Sequence, residues 1–246
     1  MLPRFYIPEV DAASAQFDLP EEEAAHLVRV LRLGEGDEIE VFDGRGGAWK
    51  ADVVRTDKHS ATVRRHAPVD SAAEVGVAVS LVISIPKASK MDDIVRDTVM
   101  IGAAAIQPVT SARSEANRAA LAHGHRVARW QRIAVSSAKQ CRRAIVPIVH
   151  DVMTLEQYLD RPSDAVRIIC VEPNAGDATA RAAQNISRPE AAAVLVGPEG
   201  GWLKEEVTAA HAAGAIAMTL GSRVLRSDAV PLIALTALFT TWGELS

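Results

Sequence analysis

The chain is poor in cysteine, in aromatic residues and in net positive charge, and it lacks any long apolar run. Cys141 and Cys170 are the only two cysteines in 246 residues. So few exclude a disulfide framework and lead us to expect free thiols in a reducing cytoplasm. No C-x-x-C or H-E-x-x-H spacing occurs, so no metal site is expected. No stretch approaches the roughly 18 apolar residues of a membrane span. The opening MLPRFYIPEVD has no apolar core, so no secretory signal is expected. Neither G-x-x-x-x-G-K-[ST] nor G-x-G-x-x-G is present, which removes the P-loop and the dinucleotide fingerprint. The net charge of −4 argues against a nucleic-acid partner, but only as an average.

Charge distribution points the other way. Between Arg113 and Arg143 stand eight Lys or Arg and a single acid, Glu115. Such a stripe can bind phosphates on an acidic chain, and it can equally be a solvated helix face.

Two glycine-bearing turns near the C-terminus organise the rest. One is AVLVGPEGGW, Ala193–Trp202; the other is TLGSRVLRSDA, Thr219–Ala229. Each follows a short apolar run that reads as a buried strand, Ala192–Val196 and Ala215–Leu220. Each precedes a helical stretch, Leu203–Ala213 and Ala229–Trp242. Loops at the carboxyl ends of strands are where α/β sheets bind ligands. Gly197, Gly200 and Gly201 let backbone touch a small molecule. Pro198 stiffens the turn. Glu199 suits a cationic or hydroxyl-rich ligand better than a phosphate. One such turn alone also fits a tight strand-to-helix connection with no ligand; two on successive strands favour a site.

Along the chain, residues 1–70 read as mostly β. Strands are expected at Arg4–Ile7, Glu38–Phe42, Ala48–Arg55 and Ala61–Arg65, with a helix from Pro20 to about Leu31. Regularly spaced short strands suggest a small barrel. DGRGG, Asp43–Gly47, lies between two strands and reads as a hairpin turn, not a phosphate loop. Ala67–Glu74 reads as a linker, and a second domain, 75–246, begins near Val75. There Val77–Ile85 is an almost continuous apolar run, as expected of a parallel strand covered on both faces. A helix with Met91, Ile94, Val95 and Thr98 toward the core follows, then a strand at Ala104–Val109. Arg126–Cys141 is helical. Val166–Val171 is a further buried strand ending at Glu172, with a helix expected at Asp177–Gln184.

These motifs resemble the knotted (SPOUT) RNA methyltransferases and, more narrowly, the RsmE-type family. GPEGG followed by LGxRxLRxxxA is the most specific part. RFYIP at Arg4–Pro8, HLVRVLRLGEGD at His26–Asp37 and RWQRIAVSSAKQCRR at Arg129–Arg143 extend the likeness over nearly the whole chain. The resemblance implies an α/β fold: a trefoil-knotted, mostly parallel-sheet SPOUT domain after a small PUA-like β-barrel that binds RNA. It implies S-adenosyl-L-methionine as cofactor, a homodimer through the knotted domain, and methylation of uracil N3 in 16S rRNA of the small ribosomal subunit.

The expected cofactor residues are Glu172, Val196, Gly197, Pro198, Glu199, Gly200, Gly201, Leu220, Gly221 and Leu225. Arg226 and Arg223 are the expected stabilisers of developing charge. Asp228 is a candidate proton acceptor, beside Glu199 and water, and equally an N-cap of the last helix. RNA candidates are Arg4, Arg29, Arg32, Lys87, Lys90, Arg129, Lys139, Gln140, Arg142 and Arg143, each also readable as an ordinary surface residue. Cys141 stands where relatives have Ser and is read as its substitute, because methylating nitrogen needs no covalent adduct. The chain departs from the family's Thr-Glu-Leu-Gly run, having Thr98, Val99, Met100, Ile101 and Gly102. Ribose 2′-O or guanine N1 methylation, or a non-catalytic ribosome-assembly module, remain alternatives at this level.

Overall fold

A computed structural model describes residues 2–8, 14–87, 89–114, 124–173 and 179–245. The chain forms two compact units. The first comprises Met1–Glu74 with Ala138–Val146, the second Val75–Ser137 with Pro147–Ser246. Segment Ala138–Val146, which a division at residue 75 assigns to the second half, therefore packs with the first. The reason is local: Gly46 N–H donates to Ala144 O at 3.1 Å, and Val146 N–H donates to Gly44 O at 2.9 Å.

In the first unit, β1 (Arg4–Tyr6), β2 (Gln16–Asp18), β3 (Glu38–Phe42), β4 (Ala48–Thr56) and β5 (Ala61–Pro68) form one sheet in the order β1-β3-β4-β5-β2. β2 gave no signal in the sequence, since QFD is a single apolar residue between two polar ones. The β4–β5 ladder slips between Trp49 and Ala51 and again between Val53 and Arg55, irregularities that bend a sheet. Ile39 and Val41, Ala51 and Val53, and Ala61 and Val63 alternate inward onto Phe5 and Leu27. In the DGRGG turn, Asp43 Oδ1 accepts from the N–H groups of Arg45 (2.7 Å) and Gly47 (2.9 Å), and Gly44 adopts φ +74° against the Tyr6 ring. It is a turn. The expected helix begins as α1 (Glu21–Ala25) and then widens into a π-helix, His26–Leu31, that ends on Arg32 at φ +56°.

The second unit holds an eight-stranded sheet, parallel at every described pairing. Its strands are β6 (Ala78–Ser84), β7 (Ala105–Thr110), β8 (Ile148–Val149), β9 (Met153–Thr154), β10 (Val166–Cys170), β11 (Arg181–Ala182), β12 (Ala191–Val196) and β13 (Ile216–Thr219). Their order is β11-β13-β10-β12-β6-β7-β8, with β9 also on β7. The helices are α2 (Lys90–Ile101), α3 (Gly124–Cys141), α4 (Leu155–Leu159), α5 (Lys204–Ala212) and α6 (Val230–Thr241). The described part of the helix expected at Asp177–Gln184 is instead β11 and a single 3₁₀ turn, Ala183–Asn185; Asp177 lies outside the described residues.

α2 shows why these elements hold. Met91, Ile94, Val95, Thr98 and Val99 recur at helical spacing and are all buried, and Gly102 at φ +116° ends the helix. Counting back from Gly102, the Glu of the family run falls at Met100, which is 49% exposed, so burial does not explain its replacement. α6 buries Pro231, Ala234, Leu235, Leu238 and Phe239 against α2, β12 and the 3₁₀ turn. Leu235→Ala removes a fully buried side chain from that packing. It should lower the stability of this unit by about 2–5 kcal/mol, seen as a lower urea midpoint of its unfolding transition.

Candidate active site

Parallel register sets three strand ends level. Ile169 pairs with Leu195 between β10 and β12, and Cys170 with Met218 between β10 and β13. Three connections therefore leave the sheet side by side, and between them lies a cavity of about 800 Å³. Nine of the ten expected cofactor residues line it: Glu172, Val196–Gly201, Leu220 and Leu225. Gly221, at φ +78°, is not on its wall. Arg223 is on the wall; Arg226 and Asp228 are not.

The glycines are needed where the walls are tight. A Cβ on Gly197 would sit 3.1 Å from the Trp202 ring, one on Gly200 3.2 Å from Arg113 Cδ, and one on Gly201 3.1 Å from Glu172 Oε1. Gly201 also has φ +68°, which L side chains resist. The Trp202 indole N–H donates to Cys170 O at 3.0 Å, fixing the ring beside Gly197. Arg113, itself on the cavity wall, donates from Nη1 to Gly200 O at 2.6 Å and braces the first turn. Ser227 Oγ is buried on the cavity wall with no hydrogen-bond partner. A buried hydroxyl left so is a place for a ligand's polar group. Burial pushes the Cys170 thiol up to about 12, so it offers no thiolate at neutral pH. Cys141 Sγ is directed at Ala138 O, 3.8 Å away, within its own helix.

Above the cavity the two turns share a charge network. Lys90 Nζ lies 3.0 Å from Glu199 Oε1 and 3.7 Å from Asp228 Oδ1. Glu199 also accepts from the Lys87 backbone N–H at 3.2 Å. Asp228 takes two bonds from Arg226, 3.1 and 2.8 Å long, so its carboxylate serves this guanidinium and not the helix cap. The Arg226 bond, foremost, holds the Asp228 carboxyl below its ordinary range, with burial opposing and Lys90 assisting. Burial works to raise the Glu199 carboxyl, but bonds from its own backbone N–H, from Lys90 and from Lys87 outweigh it and hold the group low. Arg226 is 76% exposed.

The RNA candidates divide. In the first unit Arg4 is buried beside Glu40 and over the Phe42 ring, and Arg142 binds the same Glu40 at 2.6 Å. Arg143 is buried on Glu74 at 2.5 Å, and Lys139 pairs with Glu23 at 2.7 Å. Arg29, Arg32 and Gln140 are exposed, Arg29 contacting His59. In the second unit Lys87 is exposed and Arg129 pairs with Asp92 at 2.5 Å. Arg118 of the basic stripe lies outside the described residues.

Sequence reasoning missed Arg113, Trp202, Ser227, Thr208 and His211 as wall residues. Trp202 closes the GPEGGW motif and Ser227 stands within the second, so both were in view without a role. Lys204, Val207, Thr208 and His211 share one face of α5 at three- and four-residue spacing, a signal that could have found them.

Residues 73–239 match the family model of the RNA methyltransferase domain, and residues 19–64 that of the RNA methyltransferase PUA domain. Among curated proteins, ribosomal RNA small subunit methyltransferase E of Synechocystis is 31% identical over 85% of this chain and 68% of its own. That of Bacillus subtilis is 30% identical over 90% and 89%. A solved ribosomal RNA small subunit methyltransferase E from Neisseria gonorrhoeae, bound to S-adenosyl methionine, is 35% identical over the whole of both chains with a TM-score of 0.89. The chain belongs to the ribosomal RNA small subunit methyltransferase E family.

Because the Asp228 carboxyl is held below its unfolded value, its contribution to stability is present above that value and is lost as pH falls through the folded one. Asp228→Asn should therefore lower the melting temperature at pH 7. The gap to wild type should close in calorimetric scans stepped downward below about pH 4.

Proposed function

We propose that this protein methylates N3 of a specific uridine in 16S rRNA of the small ribosomal subunit, using S-adenosyl-L-methionine. The observation that carries the reading is the cavity between the connection after β10 and the two glycine turns after β12 and β13, with Arg226 exposed on the second turn. Its volume lies within the roughly 300–1,000 Å³ of small-molecule pockets.

The residues present suit the cofactor. Leu220, Leu225 and Trp202 offer apolar wall for an adenine. Backbone of Val196–Gly201, the Glu172 carboxylate and the unsatisfied Ser227 hydroxyl offer polar partners for a ribose and an amino-acid tail. Bound there, S-adenosylmethionine supplies an activated methyl group. The protein's part is alignment and charge. Uracil N3 carries a proton at neutral pH, and losing it leaves an anion. Arg226 and Arg223 stabilise that anion electrostatically. Asp228, held acidic by Arg226 and Lys90, is a weak base, so it orients Arg226 while the proton passes to solvent. No cysteine is required.

The first unit is the PUA-like RNA-binding domain, and the second is the SPOUT domain with its knot formed around the two turns. Arg29, Arg32, Lys87, Arg129 and Gln140 are the exposed candidates for RNA contact. The enzyme works in the cytoplasm as a homodimer through the second unit.

Calorimetric titration should show S-adenosylmethionine binding that Gly197→Trp abolishes, because the new side chain fills the cavity wall. Arg226→Ala should leave that affinity within about twofold while lowering kcat by about 100–1,000-fold. Nucleoside mass spectrometry of 16S rRNA with and without the gene should show loss of 3-methyluridine; loss of a ribose 2′-O-methyl or 1-methylguanosine mark instead would replace the reading.

A further inference from the structure

Lys90 opens α2, where a cation stands against the helix macrodipole. It is nevertheless held there, with its ammonium between two carboxylates that come from different turns. Glu199 belongs to the first turn and Asp228 to the second. Lys90 is anchored by the helix it opens, in which Met91, Ile94 and Val95 are buried in the core. Asp228 passes the restraint on to Arg226 through its two bonds. Without a cation between them, Glu199 and Asp228 would face each other as like charges.

We propose that Lys90 is a positioning residue: a charged strut that fastens the cofactor turn to the turn bearing Arg226, so that donor pocket and substrate-facing guanidinium share one geometry. It acts through Asp228 and does not touch the reacting atoms. This assigns Lys90 a role different from holding RNA phosphate, which its place in the sequence first suggested. The catalytic consequence rests on the methyltransferase reading above; the strut itself rests only on the geometry.

The test uses full-length protein carrying Lys90→Met, Lys90→Arg, Asp228→Asn and the Lys90→Met/Asp228→Asn pair. Misplacing a reacting group by about 1 Å costs about 100-fold, so Lys90→Met should lower kcat by about that factor. KM for RNA should stay within about twofold, because phosphate contact is not what is lost. Lys90→Arg, which keeps the charge, should recover most of the rate. In the double variant the Asp228→Asn loss should be smaller than in wild type, since the two groups act as one unit.

A second readout needs neither cofactor nor RNA. The groups facing these carboxylates are Lys90 and Arg226 at Asp228, and Lys90 with the Lys87 N–H at Glu199. In carbon-13 NMR titrations both carboxyls should titrate at higher pH in Lys90→Met than in wild type, with circular dichroism unchanged. Unmoved carboxyl titrations would overturn the strut, as would a raised RNA KM with unchanged kcat. If the titrations move but wild-type protein leaves uracil N3 unmethylated, the strut stands and the activity assignment falls.

Discussion

The parallel register among β10, β12 and β13 is the constraint on which the site depends. It brings Cys170, Val196 and Met218 to one level, so three separate connections emerge together and can enclose a ligand. The strands are short and buried, and each is covered on both faces. Val82 and Val109 join Ile169, Ala193, Leu195 and Ala217 in one apolar cluster that keeps that register. A slip of one residue would turn this set to the opposite face and break the cavity at the same time. Packing and function are thus served by the same strands.

Charge is distributed to match that frame. The cavity wall mixes apolar side chains with the charged Arg113, Glu172, Glu199, Lys204 and Arg223, and a charge network continues at its margin. There Lys90, Glu199, Asp228 and Arg226 alternate in sign, so each is paired while Arg226 still reaches solvent. The first unit does the opposite with several of its arginines. Arg4, Arg142 and Arg143 spend their charge on Glu40 and Glu74. A basic stripe counted along the sequence therefore overstates the cation available to RNA. Other cations stay exposed, among them Arg29 on the widened helical turn and Arg32 at its end.

Much was legible in advance. The almost continuous apolar run of β6, the helical spacing of Met91, Ile94, Val95 and Thr98, and the glycine turns after β12 and β13 each carry their own periodicity or turn chemistry. Reading those local signals needs no knowledge of the fold. The missed strands share one cause. β2, β8, β9 and β11 are strands of two or three residues, too short for a period to appear. The helix expected at Asp177–Gln184 rested on composition alone, and edge pairing of Arg181 with Met218 took its place.

The sequence by itself therefore determined the strand and helix inventory of the long elements and the two turns, whose residues line the cavity. These depend on residue type and on neighbours within one turn of helix or strand. Tertiary structure alone decided which arginines are spent on buried acids, that Ala138–Val146 returns to the first unit, and that Lys90 meets both Glu199 and Asp228. Those facts join residues that stand from tens to more than a hundred positions apart, and no pattern along the chain records which distant charge will face which once the sheet is assembled.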